Sequence, residues 1–313
     1  MPWCRYPPLD RGDVRSKGSC TRVAREETWS GVRDVSISTI LAARSVMTRS
    51  VSTPSCRAAS SSRIPYTMPL LEKNHFLPDL GAIPAEVLKS AKLMFLNYPN
   101  NPTSAVATRE FFAEAVAFAS KRGILIAHDA AYSEMTYDGQ KSPSILEIPG
   151  AKDVAIELFS LSKTYSMTGW RVGFAVGHPQ AISLLAKVKS NLDSGIFQAI
   201  QIAGIAALKE GDKALERNLK IYQERRDLLI SGLNKLGFNV SLPKAIFYCW
   251  IPVPPGYTSA ELCLRFLEEM NIVVTPGNGF GPNGEGYFRI SLTVAESRIM
   301  EALDRIKKSH KTK

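Results

Sequence analysis

The sequence predicts an α/β protein in which a mainly parallel sheet is followed by a smaller α+β domain at the carboxy terminus. Three observations predict it. From Ile64 onward, short apolar runs of strand length alternate with stretches of helical periodicity, the pattern of strands joined by crossover helices on both faces of a sheet. The residues directly after those runs are polar and chemically distinctive, as where an open parallel sheet presents a ligand beyond the carboxyl ends of its strands. And 313 residues, 45% of them hydrophobic, suffice for one large core and a second, smaller one.

Residues 1–63 stand apart from this pattern. They are rich in Ser and Arg, contain a single lysine, Lys17, and show no sustained period of 3.6 or 2, so no folded unit is expected there. In a large domain over 64–205, the runs 92–97, 123–129, 153–160 and 171–176 read as strands and 110–121 as an amphipathic helix. Beyond Gly195 a helical stretch reaches to about Leu236, interrupted near Gly211, and leads into a small domain over 206–313. There 245–253 and 287–292 read as strands, 259–270 and the segment from about Ala295 as helices, and the Lys-rich 307–313 as a frayed end.

A net charge of +10 would suit nucleic acid or an anionic membrane. Its distribution argues against both. Residues 1–63 hold 11 Lys and Arg against 5 Asp and Glu, six of the ten net charges, and the body of the chain is nearly balanced. No apolar stretch reaches the roughly 20 residues of a membrane span, and no signal-like segment opens the chain, so a soluble cytoplasmic protein is expected. The cysteines, Cys4, Cys20, Cys56, Cys249 and Cys263, form no C-x-x-C pair and no metal-ligand spacing, so no metal is expected. Cys249 and Cys263 lie in apolar surroundings and read as small buried hydrophobes.

Four strand endings carry the chemistry: Y-P-N-N-P-T-S from Tyr98, H-D-A-A-Y from His128, S-L-S-K-T-Y-S-M-T-G-W-R from Ser160 and F-R-I-S-L from Phe288. In this order and spacing they resemble the class I/II aminotransferases of fold type I, over the chain from about Ile64 to its end. The resemblance implies an incomplete form of that family's large-domain sheet, pyridoxal 5'-phosphate as cofactor, and amino-acid and 2-oxo-acid substrates. It also implies the homodimer expected of the intact family.

Carried over residue by residue, the resemblance makes Lys163 the lysine that bonds the cofactor and then moves a proton at the substrate's α carbon. Such a lysine needs partial desolvation so that its amine is available. Ser160 and Arg171 become phosphate ligands, a hydroxyl and a planar guanidinium suiting a monoester, with Ser162 a further candidate. Asp129 faces the pyridine nitrogen and keeps it protonated, although a carboxylate directly after a strand is also a common helix N-cap. Tyr132 donates its phenol to the ring oxygen, and Asn101 gives its amide to the same oxygen from a turn stiffened by Pro99 and Pro102. Arg289 is the bidentate clamp for the substrate carboxylate. The family usually has Gly at the position of Ser104, where a positive φ would cost serine more.

The stretch K-S-N-L-D-S-G-I-F-Q-A-I-Q from Lys189, with the lysine motif, looks most like bacterial LL-diaminopimelate aminotransferases. The expected reaction is transamination between LL-2,6-diaminopimelate and 2-oxoglutarate. Aspartate- or alanine-type aminotransferases, a carbon–sulfur lyase of the same fold and a noncatalytic ligand-sensing remnant are the alternatives. The family's glycine-containing phosphate loop, its ring-stacking aromatic residue and its intersubunit arm find no match in residues 1–63. A transit peptide would not replace those features. A shifted reading frame is the expected explanation, A-A-S-S-S-R before I-P-Y-T being what a one-base shift makes of an apolar stretch. Weak cofactor binding and poor or no transamination by the chain as written are the expected result.

Overall fold

The computed structural model describes residues 64–311. The 1–63 segment, read above as disordered or out of frame, lies outside the described residues. The elements are α1 (Ala85–Ser90), β1 (Leu93–Asn97), α2 (Arg109–Arg122), β2 (Leu125–Asp129), β3 (Ala155–Ser160), α3 (Leu161–Thr164), β4 (Gly173–Gly177) and α4 (Pro179–Leu192). They continue as α5 (Gln198–Glu210), α6 (Asp212–Lys235), β5 (Tyr248–Pro252), α7 (Ser259–Met270), β6 (Thr275–Pro276), β7 (Tyr287–Ser291) and α8 (Glu296–Lys311).

The first four strands form one sheet in the order β1-β2-β3-β4. β1, β2 and β3 run parallel, as expected. β4 runs antiparallel to β3, with Ser160 opposite Gly173, so the sheet is mainly parallel, as expected, with one antiparallel edge. Residues 161–172 hold only the four-residue α3 and short turns, too little for a helical return to the sheet's other end, so the chain folds back as a hairpin. Gly173 is required there, because a Cβ would lie 2.4 Å from the Phe159 carbonyl oxygen.

The faces of the sheet are covered from opposite sides. α2 starts where Thr108 Oγ accepts from the Phe111 N–H and stops at Gly123, whose φ of 61° is left-handed. It buries Phe111, Phe112, Ala115, Val116 and Ala119 against Met94, Leu96 and Ile126. On the other side, Ala181 and Ile182 of α4 pack on Ala127, Ile156 and Leu158. The sequence reading assigned no element to α4.

The second sheet, β5-β7-β6, is antiparallel and packs with α6, α7 and α8 around Leu229, Leu233, Cys249, Ile251, Phe266, Phe288, Ile299 and Ile306. The same core takes in Tyr132 and Met135 from beyond β2. Cys249 and Cys263 are buried there as expected, and burial pushes their thiols up to about 12 and about 11. The interruption expected near Gly211 separates α5 from α6, and the expected division at 205/206 falls inside α5.

The carboxy terminus departs from the frayed end expected from Lys307, since α8 continues through Lys311. Ile306 is buried, Arg305 Nη1 donates to the Met270 carbonyl at 3.1 Å, and Ser309 Oγ donates to Glu269 at 3.2 Å. These contacts hold the last turns on α7. Arg226, buried on α6, forks onto Asp138 at 2.7 and 3.0 Å and donates to the Pro243 carbonyl, tying the long helix to the turn after Tyr137. Among the described residues, no helix is long and apolar enough to cross a membrane.

Candidate active site

The site forms where the parallel strands end. Asn97 and Asp129 are partners in the last rung between β1 and β2, and Asn97 Nδ2 donates to the Asp129 carbonyl at 2.9 Å. The 98–104 loop departs from this rung with cis peptide bonds before Pro99 and Pro102. It is held from within: Asn97 Oδ1 accepts the Asn101 N–H at 3.0 Å, and Asn100 Oδ1 accepts the Thr103 hydroxyl at 2.7 Å. The Asp129 carboxylate is exposed at the strand end and accepts the Ala131 N–H at 3.1 Å, so the local turn bond weighed against the cofactor role is present.

Asn101 reaches across to the second sheet. Its Oδ1 accepts from Arg289 Nη1 at 2.9 Å, joining two sequence-predicted residues that are 188 positions apart. The Arg289 guanidinium lies 4.0 Å from the Tyr248 ring centroid and 4.7 Å from that of Phe280, and burial pushes its pKa below the usual arginine value. Tyr248 adjoins Tyr132, ring centroids 6.5 Å apart, and Tyr132 meets Phe247 edge-on at 5.7 Å. Lys163 Nζ lies 5.1 Å from the Phe247 centroid and 5.8 Å from that of Tyr132. Asn101, Arg289, Tyr132 and Lys163 therefore belong to one chain of contacts, with Asp129 adjoining it through Asn97.

Ser160, Ser162 and Arg171 lie on the β3–β4 connection that carries Lys163. Ser160 Oγ caps α3 by accepting the Ser162 N–H at 3.3 Å, and the Leu161 N–H bonds the Val172 carbonyl at 3.1 Å, which brings Ser160 and Arg171 to one end of the hairpin. Arg171 is exposed, with a left-handed φ of 56°, and Nη1 donates to the Thr168 carbonyl at 3.0 Å. Ser162 is buried, and its carbonyl accepts the Thr168 hydroxyl at 3.1 Å.

Sequence reasoning missed Asn97, Phe247, Tyr248 and Phe280. Tyr248 and Phe247 lay in a run read only as a strand. Their signal was a strand with several aromatic residues, facing the strand that carries Arg289.

The set suits a phosphorylated aldehyde on a pyridine ring. It offers an amine among aromatic rings, a carboxylate at a strand end, a phenol, and a guanidinium and hydroxyl together at a hairpin. Residues 53–306 match the family model for aminotransferase class I and II. The chain is 57% identical over 242 residues to LL-diaminopimelate aminotransferase 2 of Trichormus variabilis, covering 77% of this chain and 62% of that protein. It is 55% identical over 243 residues to the LL-diaminopimelate aminotransferase of Moorella thermoacetica, covering 78% and 62%. The structure superposes on substrate-bound BacF from Bacillus subtilis with a TM-score of 0.76 and 43% identity, over 78% of this chain and 62% of that one. The chain thus spans 62% of the length of these relatives. With the lysine hairpin, the asparagine loop and the arginine strand arranged as described, this chain belongs to the class I and II aminotransferase family.

Proposed function

We propose that this protein binds pyridoxal 5'-phosphate at Lys163 and transfers an amino group between an amino acid and a 2-oxo acid, with LL-2,6-diaminopimelate and 2-oxoglutarate as the pair. The observation that carries the reading is the Asn101–Arg289 hydrogen bond beside the aromatic surroundings of Lys163. Class I and II aminotransferases use this cofactor, and the names of the relatives at 55–57% identity support the substrate. When bound, the cofactor supplies an aldehyde for covalent attachment and a ring that withdraws electrons from the substrate's α carbon.

The chain's own residues supply the rest. Lys163 provides the attaching amine and moves a proton at the α carbon through Nζ, its aromatic neighbours keeping water from that proton. Asp129 holds a proton at the ring nitrogen. With Asn101 Oδ1 engaged by Arg289, the Nδ2 hydrogens point the other way, the orientation needed to donate to the ring oxygen alongside the Tyr132 phenol. Arg289 keeps Nη2 for the substrate carboxylate and stays charged, because even a lowered arginine remains protonated at neutral pH. Ser160 and Arg171 hold the phosphate, with Ser162 contributing from the same turn.

A cytoplasmic homodimer is the assembly proposed with this activity. It is supported by the exposed apolar residues Leu184, Val188 and Leu192 along α4 and Phe197 just beyond it. The test is formation of glutamate from 2-oxoglutarate when LL-2,6-diaminopimelate is supplied, compared with aspartate and alanine. The expected outcome is turnover, slow in this chain, that requires both the diamino acid and the oxo acid. Turnover without an oxo acid would replace the transaminase with a lyase, and a preference for aspartate or alanine would remove the substrate assignment.

A further inference from the structure

A buried polar network beneath the ends of the first three strands is unused by the chemistry proposed above. His128 and Glu157 are strand partners on β2 and β3, and each is 1% exposed. His128 Nδ1 lies 2.8 Å from Glu157 Oε1, and Nε2 lies 3.0 Å from the Tyr98 carbonyl oxygen. A carbonyl oxygen can only accept, so Nε2 carries a proton and donates it. Glu157 is held in turn, Oε1 accepting the Ile145 N–H at 3.1 Å and Oε2 the Ser144 hydroxyl at 2.5 Å. The Phe112 ring meets the imidazole edge-on at 4.9 Å and seals it under α2.

A buried ionisable pair is not an economical way to stabilise a fold, since well-packed apolar residues often do as well or better. The connections of this pair indicate what it does. Tyr98 opens the loop that carries Asn101, and one residue earlier Asn97 holds the carbonyl of Asp129. The loop is therefore moored to β2 at two successive residues, and the second mooring is His128. The loop's own amides at Asn100, Asn101, Thr103 and Ser104 are all bonded to groups within 97–105, so they move as one piece with Tyr98.

We propose that His128, oriented by Glu157, is a positioning residue of this site: its proton on the Tyr98 carbonyl sets the 98–104 loop against β2, so that Asn101 stands beside Arg289 and Asp129. The proposal rests on the reading of Asn101, Asp129 and Arg289 as ligand-binding groups.

Its test compares the full 313-residue protein with His128→Gln, His128→Leu and Glu157→Gln. Two quantities are measured on each variant that circular dichroism shows to be folded: amide hydrogen exchange of the 98–104 loop and affinity for pyridoxal phosphate. A glutamine amide reaches about as far as the imidazole Nε2 and offers a donor there, whereas leucine offers none. Expected is a roughly tenfold faster loop exchange in His128→Leu with α7 unchanged, a similar loss of cofactor affinity, and recovery of most of both in His128→Gln. Loop exchange in folded His128→Leu equal to wild type overturns the proposal, as does a change spread evenly over the chain. Where His128→Leu does not fold, Glu157→Gln must loosen the same loop, and an unchanged loop there overturns it equally. A wild-type protein that binds no pyridoxal phosphate sinks the proposed function, while loop exchange still decides the role of His128.

Discussion

Ser104 provides a stability experiment in which two substitutions at one position separate two opposing effects. Its φ of 63° is left-handed, a region that costs a residue with a Cβ about 1 kcal/mol relative to glycine. The hydroxyl donates to the Tyr248 carbonyl at 2.6 Å in a buried setting, a bond worth about 1 kcal/mol whose loss also leaves that carbonyl short of a donor. Ser104→Ala keeps the backbone strain and loses the bond, so the protein should lose about 1–2 kcal/mol. Ser104→Gly loses the same bond but relieves the strain, partly offset by the greater freedom of glycine in the unfolded chain, and should fall within about 1 kcal/mol of wild type. Thermal unfolding then places the alanine variant roughly 2–6 °C below wild type and the glycine variant between the two. Equal stability of the alanine variant and wild type would refute the hydrogen-bond assignment. An alanine variant no less stable than the glycine variant would refute the strain.

Two further outcomes are expected. After borohydride reduction with pyridoxal phosphate, peptide mapping should find the pyridoxyl group on Lys163, and Lys163→Ala should carry none; a label on another lysine would remove the assignment. The Arg226 hydrogen bond holds the Asp138 carboxyl below the usual carboxylate range, so its contribution to stability is present above that range and is lost as pH falls through the lower folded value. Because Asp138 is partly solvent-screened and Asp227 also pairs with Arg226, Asp138→Asn should cost only about 1 kcal/mol near pH 7. The difference from wild type should shrink as pH falls through the lowered Asp138 titration, and a difference that stays constant across that fall would reject the ion pair as its source.

Much of the candidate site was legible because most of its parts follow the end of a strand. A polar cluster directly after an apolar run can be recognised without knowing how the strands pair, and Asn101, Asp129 and Lys163 were of this kind, whereas Arg289, read as part of a strand ending, lies in the middle of β7. The direction of β4 was less visible, since an apolar run carries no sign of whether its neighbour is parallel; the shortness of 161–172 was the available clue. The last helix was expected, but its end was misjudged because the lysines from Lys307 read as solvated, whereas Ile306 just before them is buried and Ser309 among them bonds Glu269 on α7. Phe247 and Tyr248 were out of reach for another reason. Their approach to Tyr132 and Lys163 depends on how the second sheet docks, which no local pattern encodes.

The apolar core of the second sheet has a bearing on how such a protein can change over generations. Tyr132 and Phe247 flank the Lys163 amine and are also members of the cluster that extends to Ile299 and Ile306 on the last helix. A substitution made far away, to refill or relax that cluster, would shift the rings that shelter Lys163. Sequence drift in the carboxy-terminal helix is thereby coupled to the surroundings of a lysine more than 130 positions earlier, and repacking there would alter the setting of the proposed chemistry without altering any group assigned to it.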